Sequence, residues 1–177
     1  MTGNSKASEY KPLRFLHTSD WHLGRQFHNT SLLPDQAHVL SQIIELAAAE
    51  AVDAVLVAGD IYDRAVPPAG AVSLLDSVLD QLCRKHGIPV ILVPGNHDSA
   101  ARLGFGARQL AGAGLHILDR PEQILSPVVF EDEHGRVAFY GIPYLEPAVV
   151  REYFGVELTG HDAAVAYVAS LIREHIG

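Results

Sequence analysis

Short apolar runs and longer amphipathic stretches alternate along the first two thirds of the chain. Ala54 to Ala58 and Pro89 to Val93 are brief continuous apolar runs, the pattern of strands covered on both faces. Leu13 to Thr18 and Leu115 to Leu118 read as further strands. Pro34 to Ala51 reads as a helix, started by a proline suited to a first turn, with Val39, Leu40, Ile43, Ile44 and Ala47 on one face. A second helix opens at Pro67-Pro68, keeps Leu75, Val78, Leu79 and Leu82 at i, i+3, i+4, i+7 spacing, and ends at Gly87. A third helical stretch, from about Ser99 to Ala113, is interrupted by Gly104 and Gly106. Strand-helix repetition of this kind predicts an α/β fold built on a mostly parallel sheet.

After Pro121 the period changes. Val128 to Phe130 and Val137 to Tyr140 flank "EDEHGR", which predicts an antiparallel hairpin turning near Gly135. Two helical segments follow, the last with Val165, Val168, Leu171 and Ile172 on its apolar face. Residues 1–12, mostly polar, are expected to form a flexible tail ahead of a single domain over residues 13–177. Of the 177 residues, 48% are hydrophobic and 19% charged, which suits one sizeable core. No run of eighteen apolar residues exists and the amino terminus carries no apolar signal region, so neither a membrane span nor export is expected. The cytoplasm is the default, and the lone Cys83 agrees with a reducing compartment.

The net charge of −8 weighs against a nucleic-acid binder that works through a broad basic face. It weighs less against a metal enzyme, because bound divalent cations change the local field. Candidate ligands are present. Each of the first three strands ends in polar residues: "SDWHLGR", "GDIYDR" and "GNHD". Asp20, His22, Asp60, Asp63, Asn96, His97 and Asp98 are thereby delivered to one edge of one sheet, the edge where open α/β sheets bind ligands. Polar residues collect in any loop, but the same placement after three strands favours a shared site. Carboxylate, imidazole and amide donors suit Mn²⁺, Zn²⁺, Fe²⁺ or Mg²⁺. Asp20 and His22 lie two apart, and strand geometry would point both side chains the same way. A carboxylate such as Asp60 can bridge two ions roughly 3.5 to 4 Å apart. Arg25, Arg64 and Arg102 each follow closely on a polar cluster, as substrate-binding candidates or as solvated surface charges.

The order D-x-H, G-D-x-x-D, G-N-H-D, each behind a strand, resembles the opening half of the calcineurin-like metallophosphoesterase pattern. The longer strings "LHTSDWHLGRQ", "GDIYDRAVPP", "VPGNHDS" and "GIPYLEP" look like the DNA nuclease branch of that family. The resemblance implies sheets flanked by helices and a site for two divalent metal ions, Mn²⁺ first among them. Asp20, His22 and Asp60 would hold one ion, and Asp60 and Asn96 a second. His97 would be the catalytic histidine, facing the scissile phosphate and the leaving oxygen, with Asp63 or Asp98 orienting it and raising its pKa. Water rather than a side chain would be the nucleophile. Implied partners are DNA, an ATPase subunit and a second copy of the chain, the last through helices around Val72 to Arg84 and Ala100 to Ala113.

Two alternatives remain at this level. A phosphatase acting on phosphoproteins or small phosphoesters would share the motifs, although Ala65 stands where that group has glycine and Asp98 where it has glutamate. A non-catalytic dimerisation module would use the same helices. The family's metal site is completed by three further histidines, two of them in a glycine-histidine-x-histidine motif that does not occur here. His161 in "LTGHDAA" is not expected to supply one, because Val156 to Thr159 is too short and polar for a strand and a helix is expected from Asp162. His17, inside the first strand, is expected to be packed or to support the site. The fold is therefore expected to be incomplete at its carboxyl end, holding at most one ion weakly and turning over no DNA.

Overall fold

Residues 12–177 are described by a computed structural model. Of the tail expected over residues 1–12, all but Pro12 lies outside the described residues. β1 (Phe15–Thr18) leads through a small hairpin, β2 (Gln26–Phe27) and β3 (Thr30–Ser31), into α1 (Leu33–Ala49) and β4 (Ala54–Ala58). Next come α2 (Ala69–Leu79), β5 (Val90–Val93), the short helices α3 (Ala100–Leu103) and α4 (Ala107–Leu110), and β6 (Leu115–Ile117). The hairpin of β7 (Val128–Asp132) and β8 (Gly135–Phe139) precedes α5 (Pro147–Phe154) and α6 (Gly160–Ile176).

The predicted strands pair in parallel, in the order β1-β4-β5-β6. Alternate residues Val55, Val57, Val90, Leu92, Leu115 and Ile117 are buried in one cluster with Leu40, Ile44, Leu75 and Val78 of α1 and α2. The helical stripes are narrower than the sequence suggests: Val39 and Val165 are 51% and 48% exposed, because burial follows Leu40-Ile44-Ala47 and Ala164-Val168. A second, smaller cluster joins Ile124 and Leu145 to Val150 of α5 and to Ala164 and Val168 of α6.

Several expectations need correction or addition. His17 is exposed rather than packed. β1 is one of the two edge strands, and the rings of Phe130 and Phe139 on the β7–β8 hairpin cover Phe15, at 5.5 and 4.5 Å between centroids. The helix expected to run to Gly87 loses α geometry after Leu79 and continues as a π-helical turn over Asp80–Lys85, which keeps Leu82 fully buried. α6 starts at Gly160, which puts His161 in its first turn. The β2–β3 hairpin has no counterpart among the expected elements; His28 and Asn29 form its turn, both with positive φ, as a two-residue hairpin of matching twist requires. No helix among the described residues is long and apolar enough to cross a membrane.

Candidate metal centre

The three polar loops meet because the parallel pairing continues past the strands. Asp20 N–H donates to the Gly59 carbonyl (3.1 Å), His22 N–H to that of Asp60 (2.9 Å) and Leu23 N–H to that of Ile61 (2.9 Å). Gly59 N–H donates in turn to the Val93 carbonyl at the end of β5 (2.8 Å). The loops are therefore rungs of one ladder, although no longer in strand conformation. Asp20, His22 and Asp60 all have positive φ, at 56°, 43° and 48°. Aspartate and histidine tolerate this region better than most residues, but it stores strain of order 1–3 kcal/mol at each position. The strand spacing expected to align Asp20 with His22 is thus not what brings them together. Left-handed turns do so, and leave His22 Nε2 3.8 Å from Asp20 Oδ1 and 3.7 Å from Asp60 Oδ2.

Asp60 is buried, and its Oδ1 accepts the main-chain N–H of His97 (3.0 Å). That contact needs Gly95: a Cβ there would lie 2.1 Å from Asp60 Oδ1 and 2.3 Å from Asp60 N. The tightest group of donor atoms is His22, Asp60 and His97, all within 4.8 Å of one another. Asp20, more exposed, stands at its rim. Asp20, Asp60 and Asn96 line one open cleft of about 580 Å³, with Tyr140, Tyr144 and His161 on its far wall. Imidazole and carboxylate donors converging in this way fit a divalent metal ion. So does the surrounding support: His22 Nδ1 is buried with no hydrogen-bond partner among the described residues, and the nearest acid, Asp63 Oδ1, lies 3.5 Å away. A carboxylate behind the second nitrogen is how metal-binding histidines are oriented.

The carboxylates of Asp63 and Asp98 differ from their expected roles. The Asp63 carboxylate faces His22 and attracts the His97 ring only at a distance, while its main-chain carbonyl orients His97 as expected of this residue, accepting from Nδ1 at 2.9 Å. That bond is the main reason the His97 pKa is raised above its ordinary 6.5, with Asp60 and Asp63 adding attraction and Arg25 opposing it. Asp98 does not orient His97 through its carboxylate. Its two oxygens accept the N–H groups of Ile61 (3.0 Å), Tyr62 (2.8 Å) and Gly95 (2.8 Å), tying the second loop to the third. The arginines also separate: Arg25 Nε stands 3.9 Å from Asp63 Oδ1, Arg64 is exposed, and Arg102 lines a different groove.

Two residues given no role from the sequence complete the centre: Gln36, which carries no sequence signal, and Tyr144, which lies in the string "GIPYLEP". Gln36, in the first turn of α1, donates through Nε2 to the carbonyls of Trp21 (3.1 Å) and His22 (2.7 Å) and accepts the Gly24 N–H (3.1 Å). It holds the first loop from below. Tyr144 donates its N–H to the Pro94 carbonyl (3.0 Å), fixing the far wall to the third loop.

The family profile for calcineurin-like phosphoesterases matches residues 13–158. The chain is also similar to the SbcD component of the nuclease SbcCD from Staphylococcus saprophyticus, with 33% identity over 165 residues, covering 93% of this chain and 43% of that protein. It spans less than half the length of that relative.

The clamp and the raised His97 pKa can each be tested. Asp98→Ala strands three main-chain donors and should destabilise the fold by on the order of 3 kcal/mol in urea unfolding, with Asp98→Asn intermediate and the exposed His97→Ala nearly neutral. Equal stability of the Asp98 and His97 alanine variants would refute the clamp. For His97, the fold favours the cationic ring, so its contribution to stability is fully present below pH 6.5 and fades as pH rises through the elevated value. In metal-free protein, an NMR titration should give a His97 midpoint above 6.5 that Asp60→Asn lowers only in part, because the Asp63 carbonyl remains.

Proposed function

The chain belongs to the calcineurin-like phosphoesterase family, and from that premise we propose that it forms the nuclease portion of a metal-dependent DNA repair and recombination enzyme, hydrolysing phosphodiesters at DNA ends and hairpins. The observation that carries this reading is the meeting of Asp20, His22, Asp60, Asn96 and His97 at the ends of three neighbouring parallel strands. The nuclease named in the comparison favours phosphodiesters over monoesters as substrate. By the same likeness the partner is an SbcC-like ATPase and the setting is the cytoplasm.

In this reading Asp20, His22 and Asp60 hold one divalent ion, Mn²⁺ by preference, and Asp60 and Asn96 contribute to a second. Such ions, when bound, acidify water and neutralise phosphoryl oxygens. The protein's own part is placement and proton handling. Asp63 stands behind the His22 ring, 3.5 Å from Nδ1, where it would steady the imidazole once a metal is bound. His97 is pinned through Nδ1 to the Asp63 carbonyl, which leaves Nε2 to face the phosphate and donate a proton to the departing oxygen. In the metal-free fold the Asp63 carbonyl raises the His97 pKa above its ordinary value, which favours the proton-donating form. Arg25, at the edge of the centre, would meet a phosphate oxygen, and the exposed Arg64 a more distant one, whereas Arg102 lies in a separate groove.

A second feature favours self-association as well. A groove of about 450 Å³ is lined by Tyr62, Val66, Val72, Leu75, Phe105 and Leu110, with Phe105 86% and Val66 61% exposed. It lies on the helical segments expected to pair, and it also holds Asp76 and Arg102. A two-fold contact with a second copy would cover the apolar residues and set Asp76 of each chain against Arg102 of the other.

In the full-length gene product, including any sequence beyond Gly177, His97→Ala should lower Mn²⁺-dependent cleavage of duplex and hairpin DNA by roughly 10²- to 10⁴-fold while leaving calorimetric Mn²⁺ binding largely intact. Asp60→Ala should lose the metal. Equal metal loss in both variants means the roles are misassigned, and turnover of a phosphomonoester alone would establish the phosphatase instead. Sedimentation velocity at micromolar concentration should show a dimer that Phe105→Glu converts to monomer. A wild-type monomer counts against the pairing.

A further inference from the structure

We infer that Tyr144 is a stacking platform for an unpaired nucleobase beside the metal centre, so that the nucleotide at the reacting end is received single-stranded. The inference rests on the nuclease reading and adds the form of the substrate. Tyr144 borders two clefts at once: the larger one containing Asp20, Asp60 and Asn96, and a neighbouring one of about 290 Å³ closed by Asp98, Pro121 and Glu146. The two share Pro94, Gly95, Asn96, Pro143, Tyr144 and Leu145. A strand whose phosphate lies by Asn96 therefore runs into clefts that the tyrosine borders on both sides.

The ring is held at both ends yet left open. Its main chain is bonded to the Pro94 carbonyl, two residues before Asn96, and its hydroxyl pairs with His161 Nε2 at 2.9 Å. The two rings lie 5.5 Å apart and tilted by 34°. The residue is nonetheless 45% exposed. An aromatic face that is already immobilised gives up little further freedom when a flat ligand lands on it. Every base offers such a face, so this contact does not depend on sequence.

Charge argues in the same direction. With a net −8 and with Asp20, Asp60, Asp98 and Glu146 around the two clefts, attraction to phosphate supplies less of the affinity than it does in basic nucleic-acid binders. A contact that needs no charge must supply more. The usual worth of base-on-aromatic stacking corresponds to about tenfold or more in affinity.

The test uses the full-length gene product with Ca²⁺ in place of Mn²⁺, and a DNA duplex with a short single-stranded end whose last nucleotide is 2-aminopurine, alongside a blunt duplex. On binding wild type or Tyr144→Phe, the fluorescence of the end label should fall. With Tyr144→Ala the quench should disappear and overhang affinity should drop about tenfold, by a similar factor at about 50 and about 200 mM salt, while blunt-duplex affinity stays within about twofold. If Tyr144→Ala binds DNA with unchanged quench and affinity, stacking is overturned and the nuclease reading stands. Equal weakening on both DNA forms overturns it in favour of a structural role. If wild type binds neither DNA, the nuclease reading itself fails, and the inference goes with it.

Discussion

The contact between Asp60 and the backbone at Gly95 sets how closely the second and third strand-end loops approach, and the remaining geometry of the centre hangs from that approach. Gly59 and Gly95 face each other so tightly that a Cβ on Gly59 would stand 3.3 Å from the Gly95 Cα. With both side chains reduced to hydrogen, the Asp60 carboxylate can accept the His97 N–H and still turn its other oxygen toward His22. A larger residue at Gly95 separates the loops and removes both functions of the carboxylate together, while at Gly59 a side chain meets a tight contact and a left-handed φ of 86°.

Closeness of this kind has to be enforced, since three of the candidate ligands sit in a backbone region that opposes it. The enforcement comes from polar groups that touch no substrate. Asp98 gathers three N–H groups from two loops, and Gln36 gathers two carbonyls and an N–H from the first. Each satisfies main-chain atoms that the left-handed turns remove from regular pairing. Catalytic candidates and their scaffolding are therefore interleaved: in "GNHD" an amide on the cleft wall, an imidazole bonded to the Asp63 carbonyl and a structural clamp occupy consecutive positions.

That interleaving marks where the sequence stops being legible. The four strands, their parallel pairing and the edge at which the ligands collect follow from apolar runs with breakers at their ends, and the structure agrees within two or three residues. The identity of Asp20, His22, Asp60, Asn96 and His97 as one cluster is legible for the same reason, because strand ends are positions that periodicity locates well. Roles within the cluster are not. Nothing in "DIYDR" or "NHDS" says that Asp63 turns its carboxylate to His22 while its carbonyl serves His97, or that Asp98 spends its oxygens on backbone; both depend on where one loop crosses another. The alignment of Asp20 with His22 holds for a reason other than alternation, since alternation presupposes a strand and β1 ends at Thr18. Gln36 is invisible in the sequence because a glutamine in a first helical turn is an ordinary surface residue until a loop passes over it.

The electrostatics of the centre give those arrangements their direction. Asp20, Asp60 and Asp63 surround one imidazole, and among the described residues Arg25 is the cation that approaches them, at 3.9 Å and on the exposed side. Three carboxylates gathered around one imidazole, in a chain with an excess of acid over base, make a local field that attracts cations. A divalent cation among them offsets that field and at the same time stabilises the folded state over the unfolded one, which cannot assemble the three loops. The strain in the left-handed turns and the crowding of carboxylates are thus two sides of one design: the fold holds apart from their preferred states the groups that gain most from an ion. On the proposed reading an acidic protein could in this way serve an acidic substrate, because with a cation bound the field that a phosphate meets would be that of the filled centre and not that of the chain alone.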